Sequence, residues 1–273
     1  MKLPIALFYL FLPFLFVAEY SSESVQDFQG EAYYFSKSKM ELGSWGARMS
    51  EAQKKAVKAR LKNRLEKSYV LSFNTEASLF VEEERVDAIS GATDSWGSNF
   101  ARGKQYKNVA ENQLVQVQEF YGKKFLVKDE LQAIEWKMLP DTKQIGQYTC
   151  FKATAVVPEQ ELSWFNFSWS DLSSTNTSTT EADIKLTPIE AWYTLQIPVK
   201  HGPAEFWGLP GLILEVSAGN TVMLCSEIVI NPKERKAIKA PTKGAEINKK
   251  DYRTTIVSKM MELRNSYGRR RRG

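Results

Sequence analysis

From Ser68 onward, apolar and polar residues alternate with a period of two along most of the chain. Tyr69-Val70-Leu71-Ser72-Phe73-Asn74 and Ala77-Ser78-Leu79-Phe80-Val81 read as two strands around a turn at Asn74-Thr75-Glu76. Gln105-Tyr106-Lys107-Asn108 opens a further run, with strands predicted over residues 114–121, 124–127, 134–139 and 147–157. Gly122-Lys123, Lys128-Asp129 and Pro140-Asp141 connect them, a spacing that fits a meander of antiparallel hairpins. A first strand falls within residues 24–40, around Tyr33, Tyr34 and Phe35. A last one covers residues 221–230 and stops at Asn231-Pro232.

The period changes to 3.6 in two places. Ser50-Glu51-Ala52-Gln53 has the form of a capping box and opens a helix running to about Lys67. Ala52, Ala56, Val57, Leu61 and Leu65 form its modest apolar stripe, and basic residues take the other faces. Residues 251–263 set Ile256, Val257, Met260 and Leu263 on one side of a second helix. These elements predict a mainly β protein: a curved, largely antiparallel sheet, or a half-open barrel, with one or two accessory helices. The helix from Ser50 is expected to close one side.

The block around which these elements are arranged is Ala191-Trp192-Tyr193-Thr194-Leu195-Gln196-Ile197-Pro198, then His201-Gly202-Pro203, then residues 206–216. Trp192 to Ile197 reads as a strand ended by Pro198, which cannot donate to a ladder. Leu209-Pro210-Gly211-Leu212 has the form of a type II turn, with proline presetting φ and Gly211 taking a positive φ. Leu212 to Val216 starts the next strand.

The block resembles the GLPGLI family of Bacteroidota envelope proteins, whose hexapeptide stands here unbroken as Gly208, Leu209, Pro210, Gly211, Leu212 and Ile213. Tyr106-Lys107-Asn108, Trp136, and Ile145-Gly146 leading to Tyr148, Cys150, Lys152 and Ala153 add to the resemblance. It implies an exported envelope protein working beside an outer-membrane transporter of the TonB-dependent type. The family's biochemical role is unsettled, so no reaction comes with it.

Composition limits the alternatives. Of 37 basic residues, Arg269, Arg270, Arg271 and Arg272 hold four, and the rest nearly balance the 32 acidic ones. A near-neutral body argues against nucleic-acid binding. The four arginines form a basic tail, expected to be disordered over residues 265–273 and able to touch a membrane surface. At the other end, Lys2 followed by an uncharged apolar run from Leu3 to Ala18 reads as a signal peptide over residues 1–18. An uncleaved anchor is the competing reading, although the run is short for a spanning helix and contains Pro13. Export places the chain in the periplasm or at the outer membrane. A single β-rich domain then covers residues 24–264, with residues 158–187 as a mobile insertion that includes Phe165, Phe167 and Trp169. Cys150 and Cys225, the only cysteines, form either one disulfide or two buried thiols.

The chemistry is narrow. His201 is the single histidine, and there is no His-Glu-x-x-His, Cys-x-x-Cys or Gly-x-Ser-x-Gly. No phosphate-cradling loop or dinucleotide fingerprint occurs, so no cofactor and no metal is expected. His201 reads as a polar turn residue. A carboxylate pair drawn from Glu190 or Glu205 with Asp183 or Glu215 is the remaining route to hydrolysis. The favoured reading is a binding or accessory protein for a hydrophobic ligand, a peptide or a partner protein. Trp192, Tyr193, Phe206 and Trp207 are its candidate concave surface, against the alternative that they simply pack the core.

Overall fold

The structure is a computed structural model that describes residues 28–39, 47–83, 102–164 and 185–270. The predicted signal peptide, Phe165, Phe167, Trp169, Asp183 and residues 271–273 lie outside them. Twelve strands form one open sheet, in the order β12-β6-β5-β4-β3-β2-β1-β11-β10-β9-β8-β7. In chain order they are β1 (Gly30–Ser38), β2 (Glu66–Phe73), β3 (Ala77–Glu82), β4 (Gln105–Asn108), β5 (Gln113–Phe120), β6 (Lys123–Glu130), β7 (Lys137–Ile145), β8 (Tyr148–Pro158), β9 (Leu186–Thr194), β10 (Leu212–Ala218), β11 (Thr221–Ile230) and β12 (Ala245–Ile247). Helices α1 (Glu51–Arg60), α2 (Lys62–Leu65), α3 (Glu159–Leu162) and α4 (Lys249–Arg270) complete the described elements.

The topology is two meanders joined at the middle. β1 pairs antiparallel with β2 on one side and with β11 on the other. One meander runs outward from β2 to β6, and the other runs inward from the β7 edge to β11. Every pairing is antiparallel except that of β12 with β6. The link from β6 to β7 shows that the sheet is curled. Those strands stand ten positions apart, about 48 Å in a flat sheet. The chain from Glu130 to Lys137 spans at most about 25 Å. The two ends of the sheet therefore bend toward each other without closing.

What fills the curl is not the helix from Ser50. Ser50 does cap α1 through the expected capping box, its hydroxyl accepting from Gln53 N while the Gln53 side chain accepts from Ser50 N. But most of α1 is exposed, because an alanine-rich stripe offers little area to bury. The helical run also ends at Leu65, where β2 takes over. The interior is filled by the connector from Leu195 to Gly211. Its Ile197, Val199, Ala204, Phe206 and Leu209 join one buried cluster with Ala32 and Tyr34 of β1, Leu71 and Phe73 of β2, Phe80 of β3 and the inner residues of β8–β11. The buried Tyr34 hydroxyl donates to the Ile213 carbonyl at 2.6 Å, tying β1 to β10. A second cluster, of Phe120, Phe125, Val127, Trp164, Tyr252, Ile256 and Met260, seats α4 on β5 and β6.

Several sequence expectations are corrected. The strand before the connector stops at Thr194, so Ile197 lies in the connector and not in β9. Pro140 and Asp141 do not end a strand. They bulge out of β7, whose register shifts between Met138 and Thr142, and an edge strand tolerates the missing proline donor. β12, which the sequence pattern did not predict, forms because the chain passes alongside the edge of β6 that β5 leaves unpaired. α4 continues to Arg270, so residues 265–270 are helical and not a disordered tail. No proline interrupts the helix, and Gly268, only two residues from its end, costs it little. Of the two readings left open for the cysteines, Cys150 and Cys225 stand as free buried thiols. β9 and β10 intervene between β8 and β11, and three strand steps of about 4.8 Å exceed the reach of a bridge. Burial pushes Cys150 up to about 11 and Cys225 up to about 12.

Candidate functional site

The connector is held by a buried polar layer. Gln105 and Lys107 of β4 point to the same side of the sheet, two residues apart, and Gln105 is paired with Gln116 of β5. Lys107 is 1% exposed. Its ammonium donates to the carbonyls of Gly202 at 2.7 Å, Ala204 at 2.7 Å and Phe206 at 3.0 Å. Beside it Glu205 accepts from Arg102 Nη1 at 2.6 Å and from Gln105 Nε2 at 3.1 Å. Gln105 also donates to Gln116 at 3.0 Å. Burial pushes the Lys107 amine down to about 7, against the pull of Glu205. The three carbonyls oppose deprotonation, since a neutral amine has only two N–H groups to offer them. All three ammonium donors and the Glu205 carboxylate are thus engaged in fixing the connector.

His201 is fully buried, where the sequence suggested a turn residue. Its Nε2 lies 3.0 Å from the Asn74 carbonyl, which assigns the proton to Nε2, and its ring lies 6.3 Å from that of Phe73. Burial, with Lys107 adding to it, pushes the imidazole down to about 3. Between pH 6.5 and about 3 the unfolded chain carries a proton on this ring that the folded chain does not. The stability from keeping the ring neutral is full above pH 6.5 and is lost as pH falls toward 3. At pH 4 the parent should therefore have lost about 3 kcal/mol more, relative to pH 7, than His201→Gln. Urea unfolding of both proteins at the two pH values measures this, and equal losses would show that the ring is solvated.

The hexapeptide owes its glycines to different causes from the predicted one. Gly208 holds the positive φ, at 94°, and Gly211 does not. Gly211 lies against the backbone of β9, where a Cβ would overlap the Thr194 carbonyl oxygen and stand 2.6 Å from its carbon. The leucines and the isoleucine around it, Leu209, Leu212 and Ile213, are fully buried.

The four aromatic candidates do not form one surface. Tyr193 and Phe206 are core residues, and Tyr193 packs on Phe151 at 6.1 Å. Trp207 is half-buried at the end of the connector, donating to the Gln132 carbonyl at 2.7 Å, and the Trp207 carbonyl accepts from Trp136 Nε1 at 2.8 Å. Trp192 follows the alternation of β9 to the opposite face from Tyr193. There Lys143 lies over its ring at 4.3 Å and Lys152 at 5.6 Å, and its indole donates to Glu190 at 3.0 Å. Lys143 pairs with Glu215 and Lys152 with Glu190, both at 2.7 Å. The bond to Lys152 lowers Glu190, and the bond to Glu190 raises Lys152.

Beside this ladder an open groove of about 630 Å³ crosses the solvent face of β7–β10. Its floor includes Val156 and Pro188, and Glu135, Lys137 and Glu190 stand at its rim. Val156 is 59% exposed. The groove mixes apolar floor and paired charge, which suits recognition of an extended ligand or a protein surface. Among the described residues, no group of three or more His, Cys, Asp or Glu is placed to hold a metal, and no helix is long and apolar enough to cross a membrane. Sequence reasoning missed Lys107 and Arg102. Their only signal is that β4 and β5 carry Gln105, Lys107, Gln116 and Gln118 along one side, which reads as a solvent face.

Residues 136–215 match a family model described as a protein of unknown function, Porph_ging. The matched stretch runs from Trp136 through β7–β10 to Glu215, and so includes the connector, the hexapeptide and most of the groove. No curated protein matches the chain. Two crystal structures of PNGF-II are similar to it with TM-scores of 0.49 and 0.48, each at 16% identity, over 84% and 83% of this chain. The chain spans 32% of the length of PNGF-II in both.

Proposed function

We propose that this is an exported cell-envelope protein that binds a ligand or partner without transforming it, beside an outer-membrane transporter of the TonB-dependent type. The open groove across β7–β10 carries the binding reading, because it combines exposed apolar side chains with a charged rim inside the stretch that matches the family model. The connector's own ionisable groups are spent on structure: Lys107 on three carbonyls, Glu205 on Arg102, His201 on Asn74. The envelope setting and the transporter come from the hexapeptide resemblance and the apolar N-terminal run.

Affinity capture from a native envelope tests this. The tagged parent should retrieve a TonB-dependent transporter, and Val156→Glu, on an exposed position that leaves the core intact, should retrieve at least about tenfold less, the loss expected from burying an unpaired charge. Equal recovery of the transporter by both proteins removes the groove from the reading. Turnover of peptide or glycan libraries that a single Asp or Glu change abolishes replaces binding with carboxylate hydrolysis.

A further inference from the structure

The end of the molecule formed by the β5–β6 hairpin and the last turns of α4 has no part in the groove on β7–β10. α4 starts where Lys249 N donates to Asp129 Oδ2 at the far end of β6, and it runs back along that strand. Tyr252 packs edge-on to Phe125 at 5.3 Å, and Met260 joins Phe120 in the same cluster. Eight residues of β6 and the eighteen of α4 up to Ser266 each cover about 27 Å. Ser266 is therefore level with the hairpin tip, and the helix continues past it through Arg269 and Arg270.

The tip itself is unusual. Tyr121 and Gly122 form a two-residue turn with φ of 47° and 77°. A turn of that kind favours asparagine at the first position, and a bulky side chain there is strained. Tyr121 is nevertheless 51% exposed, with its ring edge-on to Phe120 at 4.7 Å. Between tip and helix lies a second groove, of about 550 Å³, with Phe120, Phe125, Ile256 and Leu263 among its apolar walls. Lys123, Lys124, Lys259 and Arg264 surround this end, against Glu119 and Glu262.

We propose that this end binds the surface of an anionic phospholipid bilayer. Tyr121 enters the headgroup layer, the groove takes part of an acyl chain, and the lysines around it meet the phosphates. Charge complementarity selects the occupant: cations exceed carboxylates here, while the body of the chain is nearly balanced. An exposed aromatic with a polar tip suits the interface, where one end of the ring is apolar and the other wet.

Co-sedimentation of the full chain with phosphatidylglycerol vesicles tests the proposal. The parent should bind at low salt, release at high salt, and ignore vesicles of phosphatidylcholine alone. Lys123→Glu with Lys124→Glu should weaken binding at least about tenfold, since each cation near such a surface is worth about fivefold. Tyr121→Asn should melt at or above the parent temperature, because asparagine tolerates the left-handed turn, yet bind vesicles several-fold more weakly. Deleting residues 269–273 should leave the melt unchanged and lower low-salt binding. Equal binding to both vesicle types, or binding unchanged by both hairpin variants, overturns the proposal; loss only on deletion reduces the contact to the tail and also overturns it. A parent that elutes as a dimer, which Tyr121→Asn dissociates, assigns the face to a second copy instead.

Discussion

Lys107→Met is expected to destabilise the protein by about 4 kcal/mol, since each buried carbonyl left without a donor costs about 1–3 kcal/mol. Methionine keeps the stem of the side chain and removes the ammonium. The carbonyls of Gly202, Ala204 and Phe206 then lose their shared donor inside the curl, and Glu205 loses a neighbouring cation. Some of that cost is offset, because burying the lysine charge is itself unfavourable and pushes its amine down to about 7. The balance still falls on the side of loss. Replacing a buried ion pair with apolar residues is often neutral when both partners go, but backbone carbonyls cannot be removed. Urea unfolding with the denaturant slope held in common measures the difference. A variant as stable as the parent would show that the connector is held by its apolar residues alone.

Gly211→Ala should cost about 3 kcal/mol, more than Gly208→Ala, for which strain of about 1–2 kcal/mol is expected. At Gly211 the added Cβ runs into the Thr194 backbone, which cannot turn aside without breaking the pairing of Leu212 with Thr194. At Gly208 the nearest side-chain atom is Trp136 Nε1 at 3.8 Å, so the cost there is only that of the positive φ. The order of the two effects separates the structures available to the hexapeptide. In a type II turn Gly211 would carry the positive φ and alanine would be the milder change there. Thermal melts of the two variants decide it: a larger loss at Gly208 would restore the turn.

Local chemistry made much of the sheet legible. The alternation over Tyr69 to Asn74 and Ala77 to Val81 became β2 and β3, and residues 221–230 became β11 with the predicted bounds. The Ser50 capping box formed because both of its hydrogen bonds lie within one turn. Such signals concern a residue and its near neighbours, so no knowledge of distant chain is needed to read them. The aromatic candidates were harder. Trp192 and Tyr193 are adjacent in sequence, and the period of two sends one to the solvent face beneath Lys143 and Lys152 and the other into the core. Their types alone do not reveal which face is covered.

The sequence by itself determined that the chain is a run of antiparallel hairpins with a turn-rich block between two late strands, because period, prolines and glycines act locally. The tertiary structure alone decided that this block is the plug of a curled sheet. A polar row of Gln105, Lys107, Gln116 and Gln118 looks like a solvent face until some other segment covers it. Whether it is covered depends on the curl that brings the β9–β10 connector onto β4, across β3, β2, β1, β11 and β10 in the strand order. The same long-range event fixed why His201 is neutral, since its partner is the Asn74 backbone between β2 and β3. Gly211 is glycine for a nearer reason: the pairing of β9 with β10 sets it against the Thr194 carbonyl, a contact that the residue types alone do not encode.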